Sequence, residues 1–131
     1  MSFCTAINCM DGRVQTPVIE FLRKRFAAAY VDAITEPGPN AILARNEDAD
    51  TVASILRRTR ISVEQHGSAG IAVVGHDDCA GNPVGRDEQD AQTRAAVALI
   101  RREFPDVAVI GLWVDAQWRV TECRGVRSER H

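Results

Sequence analysis

The stretch Ile71-Ala72-Val73-Val74-Gly75 decides the fold class of this chain. It is apolar throughout, with no polar residue at alternate positions, which is typical of a strand buried on both faces of a parallel sheet. Parallel strands need crossover connections, which are usually helices, and these helices cover the two faces of the sheet. The stretch therefore predicts a three-layer α/β fold.

Strands and helices are predicted to alternate on both sides of this stretch. Thr16-Pro17 suits the N-cap and first turn of a helix, and Gly67 suits a helix C-cap. Two prolines and a glycine predict that residues 36–40 lack regular structure. The predicted strands are residues 3–8, 30–34, 71–75, 107–114 and 118–123, and the predicted helices are residues 16–28, 48–65 and 88–104.

The order of the strands follows from their connections. The first four strands are separated by longer connections, which are expected to cross over, whereas a short turn at residues 115–117 makes the last strand antiparallel to its neighbour. We predict a mostly parallel sheet of order 2-1-3-4-5, flanked by helices. At 131 residues the chain fits a single domain over residues 1–131.

Composition and charge argue against several classes of function. The formal net charge is −2, from 16 basic and 18 acidic residues interspersed along the chain, so there is no broad basic field for nucleic acid or anionic lipid. No apolar run approaches the roughly 18 residues of a membrane span. No secretory signal is recognisable, and we expect a cytoplasmic protein. Four cysteines in such a protein favour metal binding or thiol chemistry over disulfides.

Two polar clusters follow the first and third predicted strands. The first is Cys9-Met10-Asp11-Gly12-Arg13, and the second is Gly75-His76-Asp77-Asp78-Cys79. In open parallel sheets, ligands bind beyond the carboxyl ends of the strands where the winding direction reverses. In the predicted order this reversal falls between strands 1 and 3, so we expect the two clusters to face each other.

The side chains of these clusters suit a zinc site. Cys9, His76 and Cys79 provide one imidazole and two thiolates, which together cancel the charge of Zn²⁺. Three protein ligands leave a fourth position for water, which is the arrangement of catalytic zinc sites. Arg13 can hold Asp11 beside the metal by a bidentate pair. Without that restraint, Asp11 could itself occupy the fourth position and close the site.

The two motifs together resemble those of the β-class carbonic anhydrases. Cys-x-Asp-x-Arg, followed by Gly-His-x-x-Cys after the third strand, is the shared pattern, and Cys-Met-Asp-Gly-Arg with Gly-His-Asp-Asp-Cys-Ala-Gly-Asn-Pro is similar to a short prokaryotic branch of that family. The resemblance implies zinc on Cys9, His76 and Cys79, with Asp11 and Arg13 as catalytic residues. It also implies reversible hydration of carbon dioxide to bicarbonate by zinc-bound hydroxide, in a homodimer or a dimer-based oligomer.

Around its motifs and its substrate pocket, the chain departs from the family pattern in two places. Ala80 replaces the glycine that usually follows the second cysteine. The family's Arg-Asn-Ala-Gly loop beside the substrate pocket is also missing, because Arg45-Asn46 is followed by Glu47-Asp48. We expect residues 35–40 to take the place of that loop.

Other interpretations of the same residues stay open. The same site could hydrolyse carbon disulfide or carbonyl sulfide. If Asp11 permanently occupied the fourth position of the metal, the protein would instead be a non-catalytic zinc or bicarbonate-sensing module. A thiol-based phosphatase or sulfurtransferase is less favoured, because only three residues separate Cys9 from Arg13. Asp78 is expected in a turn or around the metal, and Trp113 and Trp118 are expected to pack in the last hairpin or at an interface.

Overall fold

A computed structural model describes residues 2–123 of the chain as one five-stranded sheet with helices on both faces. The strands are β1 (Phe3–Cys9), β2 (Tyr30–Glu36), β3 (Gly70–His76), β4 (Ala108–Val114) and β5 (Val120–Glu122), and the helices are α1 (Gly12–Arg25), α2 (Pro39–Arg45), α3 (Ala49–His66) and α4 (Arg86–Glu103). The strand order is β2-β1-β3-β4-β5. All pairs are parallel except β4 with β5. The predicted order and the antiparallel last strand are confirmed.

Apolar side chains cover both faces of the sheet. Along β3, Ile71 and Val73 pack on one face with residues of α2, α3 and α4. Ala72 and Val74 pack on the opposite face with residues of α1. Every residue of β3 is buried. The side chains of β3 therefore alternate between two apolar cores, which explains why this strand has no polar residues and confirms the predicted three-layer α/β fold.

Helix α1 begins at Gly12, whereas the sequence predicted that it begins at Thr16. The carboxylate of Asp11 caps the helix by accepting a hydrogen bond from the backbone N–H of Arg13 at 2.9 Å. Aspartate is a preferred N-cap residue because it satisfies an N–H group that has no partner inside the helix. Pro17 consequently lies inside α1, where it has no N–H to donate to the carbonyl of Arg13. The prediction of Thr16 as the N-cap was wrong because Asp11 caps the helix five residues earlier.

The segment that was predicted to lack regular structure ends in a helix. Helix α2 begins at Pro39, and proline is favoured in the first turn because no intrahelical N–H bond is required there. Gly38, directly before it, has a φ of 70°, a left-handed conformation that glycine adopts readily. The prediction for residues 36–40 was therefore wrong for Pro39 and Asn40, and it was also wrong for Glu36, which is the last residue of β2.

The last strand is shorter than predicted. β5 covers Val120–Glu122, whereas the sequence predicted residues 118–123. Trp118 has a φ of 62°, which is incompatible with an extended strand, and it belongs to the turn between β4 and β5.

No helix within residues 2–123 is long and apolar enough to cross a membrane.

Candidate metal centre

The carboxyl ends of β1 and β3 bring the two polar clusters together. Cys9 is the last residue of β1, His76 is the last residue of β3, and these strands are neighbours in the sheet. A turn after His76 brings Cys79 to the same place. The potential ligand atoms of Cys9, His76 and Cys79 all lie within 4.8 Å of one another, and all three residues are buried. Among residues 2–123, no other group of three or more His, Cys, Asp or Glu residues meets in this way.

The distance between the two sulfur atoms fits a shared zinc ion. The Sγ atoms of Cys9 and Cys79 are 3.8 Å apart, and neither cysteine forms a disulfide. Two sulfurs at about 2.3 Å from a tetrahedral zinc ion would be about 3.8 Å apart. A disulfide would instead need a separation of about 2.05 Å. The observed spacing therefore fits two ligands on one metal.

The imidazole of His76 has one nitrogen available for a metal. Its Nδ1 lies 2.8 Å from the backbone carbonyl oxygen of Asp77 and can donate a hydrogen bond to it. This contact favours the neutral tautomer in which Nε2 carries the free lone pair. Nε2 is buried and has no hydrogen-bond partner among the residues that the structure describes. A buried nitrogen without a partner is costly unless it binds a ligand, so Nε2 fits the third position of a metal site.

The two thiols differ in their affinity for protons. Burial alone would raise the pKa of the Cys9 thiol. The neighbouring His76 and the backbone N–H groups of Asp11 and Gly38 together have a larger effect in the opposite direction, and the resulting pKa is about 7. Burial and the charge of the Cys9 thiolate raise the pKa of Cys79. The Cys9 thiolate therefore opposes ionisation of Cys79, and a divalent cation would remove this repulsion by cancelling both charges.

Asp11 is held by Arg13 next to the three candidate ligands. Nε of Arg13 donates to Oδ1 and Oδ2 of Asp11 at 3.0 and 3.2 Å, and Nη2 donates to Oδ2 at 2.6 Å. The hydrogen bonds from Arg13 lower the pKa of Asp11 to about 2. At neutral pH the Asp11 carboxylate is therefore ionised and can only accept hydrogen bonds.

Residues 37 and 38 pack against the loop that follows Cys79. A Cβ atom on Gly38 would lie 2.8 Å from Cβ of Asn82, and one on Gly81 would lie 2.7 Å from the backbone carbonyl carbon of Pro37. The two loops therefore touch through their backbones, which requires glycine at both positions. The same packing brings the backbone N–H of Gly38 to the thiol of Cys9. Part of the segment 35–40 thus lies beside the candidate metal centre.

A protein-family model described as "Putative carbonic anhydrase" matches residues 1–124. The chain belongs to this carbonic anhydrase family. Among solved structures, carbonic anhydrase from Streptococcus mutans matches with a TM-score of 0.60 and 19% identity, over 92% of this chain and 80% of that one. A tetrameric β-carbonic anhydrase from Sordaria macrospora matches with a TM-score of 0.64 and 15% identity, over 92% and 80% of the two chains.

A third similar structure is β-carbonic anhydrase isoform I from Trichomonas vaginalis, with a TM-score of 0.58 and 16% identity, over 92% of this chain and 81% of that one. A comparison with curated proteins yields no match. At these identities the structural matches establish the fold alone. The likeness to β-class carbonic anhydrases, predicted from the two motifs, is confirmed at the level of family and fold.

A buried polar network lies behind the candidate metal centre of this carbonic anhydrase family member. Gln89 of α4 is 1% exposed and pairs with the main chain of His76. Its Nε2 donates to the carbonyl of His76 at 2.8 Å, and its Oε1 accepts from the N–H of His76 at 3.2 Å. Nδ2 of Asn40 donates to Gln89 and to Thr93, each at 3.3 Å, and Asn82 donates to Asn40 at 3.4 Å. The network thereby ties α2, α4 and the loop after β3 to the backbone of His76.

Gln89 was not among the site residues predicted from the sequence, although a signal for it exists. In α4, Gln89 and Thr93 share a helix face with Ala96 and Ile100, which belong to the apolar core. Polar side chains at core-facing positions must find hydrogen-bond partners inside the protein. The pattern therefore indicates a buried polar contact in α4, but it does not identify His76 as the partner.

Proposed function

We propose that this protein binds Zn²⁺ through Cys9, His76 and Cys79 and catalyses the reversible hydration of carbon dioxide to bicarbonate, as a zinc lyase. The observation that carries the proposal is the meeting of three buried ligand atoms at the carboxyl edge of the sheet, with the two sulfur atoms 3.8 Å apart. Membership of the carbonic anhydrase family supports the choice of reaction.

The donor set suits zinc better than other common metals. Thiolate and imidazole ligands are typical of zinc, whereas magnesium and calcium prefer carboxylate, carbonyl and water oxygens. Three ligands from the chain also match catalytic zinc sites, because structural sites usually have four. When bound, zinc would supply the Lewis acidity that lowers the pKa of a coordinated water to about 7.

Asp11 is the proposed catalytic carboxylate. Because its pKa is about 2, it carries no proton to donate near neutral pH and serves as a hydrogen-bond acceptor. In this role it accepts a hydrogen bond from the attacking water or hydroxide, so that a lone pair of the nucleophile points toward carbon dioxide. Arg13 acts on the reaction through Asp11, since its guanidinium and backbone N–H fix the direction of the carboxylate.

We further propose that the chain, predicted as a single domain over residues 1–131, is cytoplasmic and assembles into a homodimer or a dimer-based oligomer; residue 1 and residues 124–131 of that range lie outside the described residues. The similar structure from Sordaria macrospora is described as tetrameric, which supports an oligomer. Size-exclusion chromatography with light scattering would measure the mass directly. A mass of two or four chains is expected, and a mass of one chain at micromolar concentration would contradict this part of the proposal.

Stopped-flow measurement of carbon dioxide hydration tests the reaction. The protein should contain about one zinc per chain and should accelerate hydration across about pH 7 to 9, where a water of pKa about 7 is largely deprotonated. Asp11→Asn should keep its zinc but lose roughly a hundredfold or more in rate, because an amide cannot replace the charged acceptor. Asp106→Asn, an exposed Asp→Asn change in the loop before β4, should leave the rate unchanged.

The outcomes separate the open alternatives. Full zinc content without any rate above buffer at any pH would contradict carbonic anhydrase activity. Hydrolysis of carbonyl sulfide or carbon disulfide by the same zinc-loaded sample would then identify a different substrate on the same site. A reactive Cys9 thiol in a protein that binds no zinc would favour thiol chemistry.

A further inference from the structure

Arg13 contacts three different parts of the chain. Besides Asp11, its guanidinium contacts Asp78, which lies in the turn between His76 and Cys79. Nη1 donates to the carboxylate of Asp78 at 3.3 Å, and Nη2 donates to its backbone carbonyl at 3.1 Å. The third contact is with Trp118, whose ring centroid lies 4.9 Å from Cζ of Arg13. This distance is within the range of a cation–π interaction.

Trp118 occupies a position in the β4–β5 turn that normally favours glycine. Asp115 and Arg119 are joined by a hydrogen bond from the Asp115 N–H to the Arg119 carbonyl at 3.0 Å, and the carbonyl of Asp115 accepts from the N–H of Trp118 at 2.9 Å. Three residues thus lie between the paired ends of the hairpin, and the third of them, Trp118, has a φ of 62°. Hairpins of this kind usually have glycine at this left-handed position.

The unfavourable backbone of Trp118 indicates that its side chain has a role. A large aromatic residue with positive φ is rare, because its Cβ crowds the neighbouring carbonyl oxygen. Such deviations persist where the surrounding structure holds them, and they cluster at functional sites. The Trp118 side chain is partly buried against the apolar core on the α1 side of the sheet, which fixes the ring in front of Arg13.

We propose that Trp118 is a positioning residue that holds the Arg13 guanidinium so that it can fix Asp11. The proposal rests on the carbonic anhydrase function proposed above. Arg13 is about half exposed, with 47% of its side chain accessible, and long exposed side chains are mobile unless they are held. The ring of Trp118 and the two acceptors of Asp78 restrict the guanidinium, and the guanidinium in turn restricts the carboxylate of Asp11. The β4–β5 turn thereby helps to position the Asp11 carboxylate.

Two substitutions at Trp118 separate this role from simple core packing. Trp118→Gly removes the ring and suits the left-handed backbone, so the hairpin should stay folded with full zinc content. Its hydration rate should fall roughly two- to thirtyfold, which corresponds to the strength of a cation–π contact. Trp118→Phe keeps an aromatic face and should retain most of the rate.

The effect should also depend on Arg13. In an Arg13→Ala background, Trp118→Gly should cause no further loss of rate, because no guanidinium remains to be positioned. The control is Arg86→Ala. It removes a second cation–π contact of the hairpin, in which Cζ of Arg86 lies 5.3 Å from the ring centroid of Trp113, and it should leave the rate unchanged. Equal rate losses from Trp118→Gly with and without Arg13 would overturn the proposal, as would a Trp118→Phe variant as slow as Trp118→Gly.

Thermal unfolding of the zinc-loaded proteins provides a second readout that needs no activity. The melting temperature of the double variant should be about 2 °C or more above the value expected if the two single losses were additive. Strict additivity would show that Trp118 does not hold Arg13 and would overturn the proposal. If the wild-type protein shows no hydration at all, the proposed function fails, and the melting temperatures still decide whether Trp118 holds Arg13.

Discussion

Replacing Gln89 by leucine tests how the polar network supports the site. The two side chains are similar in size, but only glutamine can pair with the main chain of His76. Gln89 is 1% exposed and takes part in hydrogen bonds with His76 at 2.8 and 3.2 Å, with Asn40 at 3.3 Å and with the carbonyl of Val84 at 3.3 Å. Leucine would fill the same space and remove all of these hydrogen bonds.

The expected loss of stability follows from the groups that lose their partners. Leaving a buried polar group unsatisfied costs about 1–3 kcal/mol, so the N–H and C=O of His76 together account for about 2–6 kcal/mol. The extra apolar surface of leucine offsets about 1–2 kcal/mol of this cost. Taking the middle of each range, we expect the free energy of unfolding of Gln89→Leu to fall by about 2.5 kcal/mol, which lowers the melting temperature by about 10 °C at about 4 °C per kcal/mol.

Urea denaturation of the zinc-loaded protein measures this change. The matched control is Gln65→Leu, in which an exposed glutamine of α3 is replaced and a change within about 0.5 kcal/mol is expected. Zinc affinity should also weaken in Gln89→Leu, by roughly ten- to a hundredfold, because residues that orient a ligand contribute to metal binding. A Gln89→Leu protein as stable as the control would refute the structural role assigned to Gln89.

Three further predictions concern the same site. Gly75→Ala places a Cβ 2.9 Å from both Asn40 Nδ2 and Gln89 Oε1, so it should destabilise the protein by about 1–3 kcal/mol in urea. Gly85→Ala meets no atom within 4 Å and should cost less than about 1 kcal/mol, because the only loss is that of glycine at the N-cap of α4. Arg13→Ala frees Asp11 and should lower the hydration rate at least about tenfold; full zinc content with full activity would contradict it. Zinc affinity, measured by chelator competition, should decrease as the pH is lowered, because protons compete with zinc for the two thiols. Below about pH 7 the two thiols should take up at least about two protons for each zinc ion released. An affinity independent of pH would exclude thiolate ligands.

Much of the fold could be predicted because the sequence encodes it locally. The apolar stretch in β3 required burial on both faces, and the short turn before β5 required an antiparallel partner. The position of the candidate metal centre also followed, since Cys9 and His76 each end a buried strand and the carboxyl ends of adjacent parallel strands meet at one edge.

The remaining features depend on contacts between distant parts of the chain. Asp11 carries two roles, as helix cap and as partner of Arg13, and only the second was predicted from the motif. The pairing of Gln89 with His76 requires α4 to lie behind β3, which no local pattern specifies. The left-handed backbone of Trp118 contradicts the local preference of its residue type, so the sequence predicted a strand there.

X-ray absorption at the zinc edge, on protein active in carbon dioxide hydration at neutral pH, tests the zinc centre most directly. If Cys9, His76 and Cys79 bind the metal, zinc should have two sulfur neighbours at about 2.3 Å, and nitrogen or oxygen neighbours at about 2.0–2.1 Å. Cys79→Ser should remove one sulfur or abolish zinc binding. Active protein whose zinc has only nitrogen and oxygen neighbours, or active protein without zinc, would contradict the assignment of this cluster as the catalytic centre.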